Sequence, residues 1–411
     1  MTSNRIAIAL VTSLFFLWAL AHNLNPILIP HLRKALQLTD LRSALVDSAF
    51  FIAYFVMALP AGAVMKRFGY KAGIVGGLLL FATGTFLFWP AATLRSYPFF
   101  LGALFVIASG LTFLETAANP YISVLGDPAT APRRLNFAQA FNGLGAALAA
   151  FFGGRFILSG TALTPAEQAA MEPGALDAYL ANEALAVRVP YLIIGLIVLT
   201  AAALFLRIHL PEIQDTDDGN GARDPKAWRR LWRGVAAQFC YVGAQVGVAS
   251  FFIRFSGQVA GIGEQDAAYL LSIGLLLFMA GRFIGTALMR WITAPTLLAL
   301  CAASALVLVG VAVGTGGWTA VVALLGVELF MSIMFPTIFS LSIDGLGRDT
   351  KLGSSLLVMS IVGGAVIPPL MGAISDRQGI QPAYLVPLIC FVVVLWFANA
   401  VRGSKGERVR G

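Results

Sequence analysis

The sequence predicts an all-α membrane protein with twelve transmembrane helices, and three observations carry that prediction. Of its 411 residues, 58% are hydrophobic and only 12% are charged, with a mean hydropathy of +0.83. Soluble chains carry roughly 45–50% apolar and about 25% charged residues, so a soluble domain is excluded, as is a disordered chain. Apolar runs long enough to span a bilayer, about 20 residues each, recur from end to end. The runs are continuous rather than alternating, which selects helices over barrel strands, because lipid offers no partner to an open backbone.

In chain order the runs place helices at about 5–30, 44–65, 72–91, 98–122, 136–158, 187–210, 230–255, 267–290, 295–313, 318–342, 353–374 and 382–401. The first follows Arg5 and includes Ala19-Leu20-Ala21, which resembles a signal-peptide cleavage site. Its apolar pattern continues through Ile29, so it is read as an uncleaved helix. The second and third are joined by Lys66-Arg67-Phe68-Gly69-Tyr70-Lys71, a basic turn suited to a topology signal and conformational latch. Glycines at Gly73/Gly77, Gly143/Gly145 and Gly363/Gly364 allow close helix approach.

Two connections are long. One, at about 160–186, is acidic, with Glu167, Glu172, Asp177 and Glu183. The other, at about 211–229, is polar and rich in Gly and Asp, as a flexible linker is. The expected organisation is an N-terminal six-helix bundle at 1–210, a cytoplasmic linker at 211–229 and a C-terminal six-helix bundle at 230–411. The halves echo each other: Pro120-Tyr121-Ile122-Ser123-Val124-Leu125 matches Pro336-Thr337-Ile338-Phe339-Ser340-Leu341 in Pro, Ile and Leu, each at the end of the fourth helix of its half. Gly62–Lys66 likewise echoes Gly285–Arg290. Such repeats are common in transporters, whose substrate site lies near the midplane between the repeats.

Charge sets orientation. With the N-terminus in the cytoplasm and the spans alternating, 20 of the 28 Lys and Arg residues, Arg282 among them, fall on the cytoplasmic side. The positive-inside rule therefore puts both termini inside. Arg33, Lys34 and Arg42 run against it locally. The charges behind the net +8 sit mostly in loops and speak to topology, not to nucleic acid.

Several chemistries find no support. Cys240, Cys301 and Cys390 lie in separate apolar runs without a CxxC pair and are read as small buried hydrophobes. His22, His31 and His209 are scattered, so no metal cluster is expected. The absence of GxxxxGK[ST], HExxH and GxSxG motifs argues against ATP as the energy source, and against hydrolytic enzymes. No cofactor is expected.

The informative residues are polar ones inside apolar runs, because hydrocarbon charges several kcal/mol for each unless it meets a partner or a cavity. Glu115 in the fourth helix and Glu328 in the tenth stand out. Glu115 lies in Leu114-Glu115-Thr116-Ala117-Ala118-Asn119-Pro120, with Asn119 one turn on along the same face. A carboxyl group in such surroundings suits repeated proton uptake and release; a permanent tie to a neighbouring donor is the structural alternative. Amides form stripes: Asn136, Gln139 and Asn142 in the fifth helix, and Gln238 and Gln245 with Tyr241 in the seventh. Asn23 and Asn25 follow Trp18 in the first. Amides both donate and accept, as sugar hydroxyls require, although helix–helix hydrogen bonds use the same groups. Trp18 could stack on the apolar face of a sugar or simply pack.

These residues bring out a resemblance. The segments Phe16-Leu17-Trp18-Ala19, His22-Asn23-Leu24-Asn25, Leu114–Pro120, Leu135-Asn136-Phe137-Ala138-Gln139-Ala140-Phe141-Asn142, Gln238-Phe239-Cys240-Tyr241-Val242-Gly243-Ala244-Gln245, Pro336–Leu341 and Gly353-Ser354-Ser355 are similar to those of the fucose:proton symporter family of the major facilitator superfamily. The resemblance spans nearly the whole chain. It implies a bacterial inner-membrane carrier that imports a monosaccharide (hexose, deoxyhexose or amino sugar) by alternating access, coupled to protons through Glu115. Within that family a second acid closes the first-helix motif as an aspartate, where this chain has Pro26, and a Tyr precedes PTIF, where this chain has Phe335. These departures keep a sodium-coupled symporter and a uniporter open as alternatives. Glu328 is a candidate replacement for the missing acid. Trp18, Asn23, Asn25, Asn119, Gln139, Asn142, Gln238, Tyr241 and Gln245 are the candidate sugar-binding residues, and Glu115 and Glu328 the candidate proton-coupling pair. The expected partners are sugar, proton or sodium, and the lipid bilayer, with one chain sufficient for function.

Overall fold

The computed structural model describes residues 2–22, 36, 40–156, 170–208, 210–211 and 224–410. Helices account for nearly all of them: α1 (Thr2–His22), α2 (Asp40–Leu94), α3 (Tyr97–Val124), α4 (Ala131–Phe156), α5 (Pro173–Leu185), α6 (Arg188–Arg207), α7 (Pro225–Ala260), α8 (Glu264–Leu288), α9 (Ala294–Gly314), α10 (Gly317–Met331), α11 (Met334–Ile343), α12 (Thr350–Met359), α13 (Gly363–Gln378), α14 (Ile380–Ala383) and α15 (Leu385–Arg410). Among the described residues, nine helices are long and apolar enough to cross a membrane. One of these holds two spans, because α2 is divided at Gly69. With α1 and α4 in the first and fifth positions, every predicted segment contains helix, and residues 23–30 and 157–158 of the first and fifth segments lie outside the described residues.

The breaks have local causes. Gly69 adopts φ 84°, a conformation that favours glycine, and turns the chain within the basic segment. The nearby Lys71 ammonium donates to the carbonyls of Leu206 and Ile208, each at 2.9 Å, and so caps the C-terminus of α6. Arg134 does the same for α3, donating to the carbonyls of Ile122 and Ser123. The start of α7 reaches back to Pro225, inside the predicted linker, because Asp224 accepts from the Lys226 amide and Pro225 suits the first helical position. The predicted loop at 160–186 contains a helix, α5, which also opens on a proline.

The tenth predicted helix is two helices, α10 and α11, interrupted at Ser332 and Ile333. Pro336 explains the break. It has no N–H to give to the carbonyl four residues earlier, which is that of Ser332.

By packing, the chain forms two units. One gathers the described parts of Arg5–Ala118 and Phe141–Pro211. In it, α2 and α3 approach to backbone contact: a Cβ at Gly110 would lie 2.6 Å from the carbonyl oxygen of Gly77. Gly145 of α4 meets the carbonyl of Phe16 in α1 equally closely. The other unit gathers Asn119–Ala140 with the described residues from Asp224 onward. There α7 and α13 touch where a Cβ at Gly363 would overlap the carbonyl of Phe239. This grouping differs from the sequence halves at 119–140, which pack with α8 and α11.

Candidate functional site

The unit containing Asn119–Ala140 carries most of the candidate residues. Its organising feature is the interruption between α10 and α11, where a helix has lost backbone partners inside an apolar environment. Two side chains replace them. Arg282 of α8, only 6% exposed, donates from Nε to the Ser332 carbonyl at 3.1 Å, the oxygen that Pro336 leaves unpaired. Tyr241 of α7 donates its hydroxyl to the Met331 carbonyl at 3.1 Å and accepts from the backbone N–H of Phe335. The phenol thus bridges donor and acceptor that would otherwise bond directly within one helix. Tyr241→Phe is expected to lower stability by about 1–3 kcal/mol, the cost of orphaning a buried backbone group. Thermal unfolding of the purified variant would check this, and an unchanged midpoint would show that the bridge contributes nothing.

Arg282 also reaches α4. Its Nη1 donates to the Gln139 carbonyl at 2.6 Å, and its guanidinium carbon lies 4.7 Å from the centre of the Phe278 ring. The Gln139 side chain in turn donates Nε2 to Oδ1 of Asn119 at 3.1 Å. Asn136, one turn before Gln139, donates to Oγ1 of Thr337 at 3.0 Å. Asn119, Asn136 and Gln139 are all buried.

These amides are incompletely satisfied. Among the described residues, Nδ2 of Asn119, Oδ1 of Asn136 and both amide atoms of Gln238 have no hydrogen-bond partner. Oε1 of Glu328 is in the same position. Glu328 is buried beside α8, where a Cβ on Gly274 would come within 3.2 Å of its Cγ, and lies within electrostatic range of Tyr241 and Tyr384. Native interiors leave few buried polar groups unpaired. Each of these atoms keeps the capacity to bond a hydroxyl group. Gln245, two turns beyond Gln238 on α7, is half-buried.

The other unit holds Glu115, Trp18 and Asn142. Glu115 is 8% exposed within α3 and accepts a hydrogen bond from the Tyr54 hydroxyl of α2. Trp18 is buried, its ring 4.3 Å from that of Phe15. The half-buried Asn142 donates Nδ2 to the Phe15 carbonyl at 3.4 Å. Asn23 and Asn25 lie outside the described residues, as does Pro26.

The structure therefore brings together Asn119 with Gln139, and Tyr241 with the helix interruption beside Glu328. It also supplies residues that sequence reasoning missed. The positive-inside count groups Arg282 with the cytoplasmic cations, but the residue is buried within α8. The available signal was its place in the apolar run Leu277-Phe278-Met279-Ala280-Gly281-Arg282-Phe283-Ile284. Tyr54 carried no comparable signal, being one aromatic among many.

Comparison with known proteins extends these findings. Residues 7–356 match the family model described as Major Facilitator Superfamily. A glucose/galactose transporter of Brucella abortus is 44% identical over 404 residues, covering 97% of this chain and 94% of that protein. The L-fucose-proton symporter of Escherichia coli is 44% identical over 405 residues, covering 96% of this chain and 92% of that one. A solved structure of the Escherichia coli fucose:proton symporter superposes with a TM-score of 0.89 at 41% identity, covering 97% of this chain and 99% of that one.

Proposed function

The chain belongs to the Major Facilitator Superfamily, and from that premise we propose that it imports a monosaccharide together with protons. The sugar is a hexose, deoxyhexose or amino sugar, and the cycle is one of alternating access. The relatives named above support the substrate class, since one carries the name of a glucose/galactose transporter and another that of an L-fucose-proton symporter.

One observation carries the proton coupling: a carboxyl group, Glu115, buried in a membrane helix and held by a phenol. The Tyr54 hydroxyl can donate to the carboxylate or accept from the acid, so the same contact serves both protonation states. A group so placed can change charge without rebuilding its surroundings.

Sugar recognition is assigned to Asn119, Gln139, Gln238 and Tyr241, together with Trp18, Asn142, Gln245, Asn23 and Asn25. The buried amide atoms without partners offer the donors and acceptors that sugar hydroxyls need. Glu328 is assigned a supporting role in proton coupling, in place of the acid that Pro26 removes. The expected setting is a bacterial inner membrane, with both termini cytoplasmic and the monomer functional. The repeat units are assigned as 1–210 and 230–411, with 211–229 as the linker between them.

The decisive experiment is uptake into vesicles reconstituted with the purified protein. Fucose, glucose, galactose and N-acetylglucosamine are each offered under an imposed proton gradient, an imposed sodium gradient, or neither. Accumulation driven by protons alone supports the proposal. Accumulation driven by sodium, or equilibration without accumulation, overturns the coupling assignment. Failure to move any of the four sugars overturns the substrate class. Glu328→Gln is expected to reduce proton-driven accumulation severalfold while preserving sugar binding, read as a thermal shift with saturating sugar. Normal accumulation in that variant removes Glu328 from the mechanism.

A further inference from the structure

Cys240 and Cys390 stand 150 residues apart in sequence, on α7 and α15, and both are free thiols. The two helices pack antiparallel, as contacts at two levels show. The Arg233 guanidinium sits 5.3 Å from the Trp396 ring, Gly234 abuts Phe397, and the Tyr384 hydroxyl donates to the Val248 carbonyl. A step forward along α7 is matched by a step back along α15. The two cysteines fall at the middle of this bracket, on facing helices, and each thiol lies within electrostatic reach of the other.

We propose that Cys240 and Cys390 form a redox-active dithiol, a modification site that closes to a disulfide when the protein meets a small membrane-permeant disulfide. The inference is independent of what the chain transports. Thiol–disulfide exchange requires an accessible attacking sulfur and a second thiol within reach of the intermediate. Cys240 is the partly exposed member and Cys390 the buried one, which sets the order of events. The Cys240 thiolate attacks the small disulfide, forms a mixed disulfide and expels one thiolate. Cys390 then attacks the Cys240 sulfur and expels the second. Both cysteine sulfurs are oxidised, the reagent is reduced to two thiols, and the two cysteine protons end on those thiols. The product staples α7, the helix of Gln238 and Tyr241, to α15. Side chains at one level of two packed helices are within the span that a disulfide bridges. Cys301 lies on α9 and supplies an internal contrast.

The test treats the full-length protein with 4,4′-dipyridyl disulfide and follows it by mass spectrometry of peptides. Expected is a peptide pair joined through Cys240 and Cys390, with no pyridyl group retained on either, reversed by dithiothreitol. In Cys390→Ser, Cys240 is expected to keep a stable pyridyl adduct, and thiol release from this pair falls from about two per chain to about one. A persistent adduct on Cys240 in the wild-type protein, adducts on both cysteines, or no reaction at either overturns the proposal. If Cys390→Ser fails to fold, Cys390→Ala serves in its place, and the wild-type peptide map alone still decides.

Discussion

Glu115→Gln is expected to turn a concentrating carrier into one that only equilibrates its sugar. Glutamine keeps the shape of the side chain and a carbonyl to accept from Tyr54, but it cannot bind and release a proton. With one-to-one coupling, a gradient of one pH unit is worth about 1.4 kcal/mol, or about tenfold accumulation. The wild-type protein in vesicles should approach that ratio, and the variant should stay near unity. Exchange of labelled for unlabelled sugar needs no net proton movement and should persist in the variant. Undiminished accumulation would count decisively against Glu115 as the coupling group, whereas loss of exchange as well would point to a damaged site.

Arg282→Met is expected to cost both stability and transport. The side chain holds two carbonyl oxygens, those of Ser332 and Gln139, in a buried setting. Leaving each unpaired costs about 1–3 kcal/mol, so the sum is on the order of several kcal/mol. Methionine fills much of the volume without replacing either bond. Arg282→Lys should recover only part of the loss, because an ammonium lacks the planar fork that reaches two acceptors at once. Thermal unfolding should therefore rank the wild type above Lys and Lys above Met, with sugar exchange in the same order. A methionine variant as stable and active as the wild type would show that the helix interruption needs no arginine.

The polar groups divide by how far their meaning depends on distant parts of the chain. Glu115 and Glu328 could be picked out from sequence because an acid within an apolar run is anomalous on its own terms. The helix spans could be read for the same reason. By contrast, Asn119 and Gln139 meet across a separation of 20 residues, and Arg282 and Gln139 across 143. Neither pairing has a local signature. Pro336 was visible as a repeat element, but its consequence, a carbonyl taken over by a side chain from another helix, was not. Taken one apolar run at a time, the cysteines read as small buried hydrophobes. Only the antiparallel packing of α7 on α15 sets the two thiols against each other.

The sequence by itself determined that the chain lives in a membrane, where its helices run and which side chains are out of place there. Each follows from the local demand that hydrocarbon makes on every residue and backbone group. The tertiary structure decided which of those side chains meet, which carbonyls they serve and which polar atoms remain unspent. Those outcomes depend on helix register and close approach at particular glycines, and no short stretch of sequence contains the geometry that sets them.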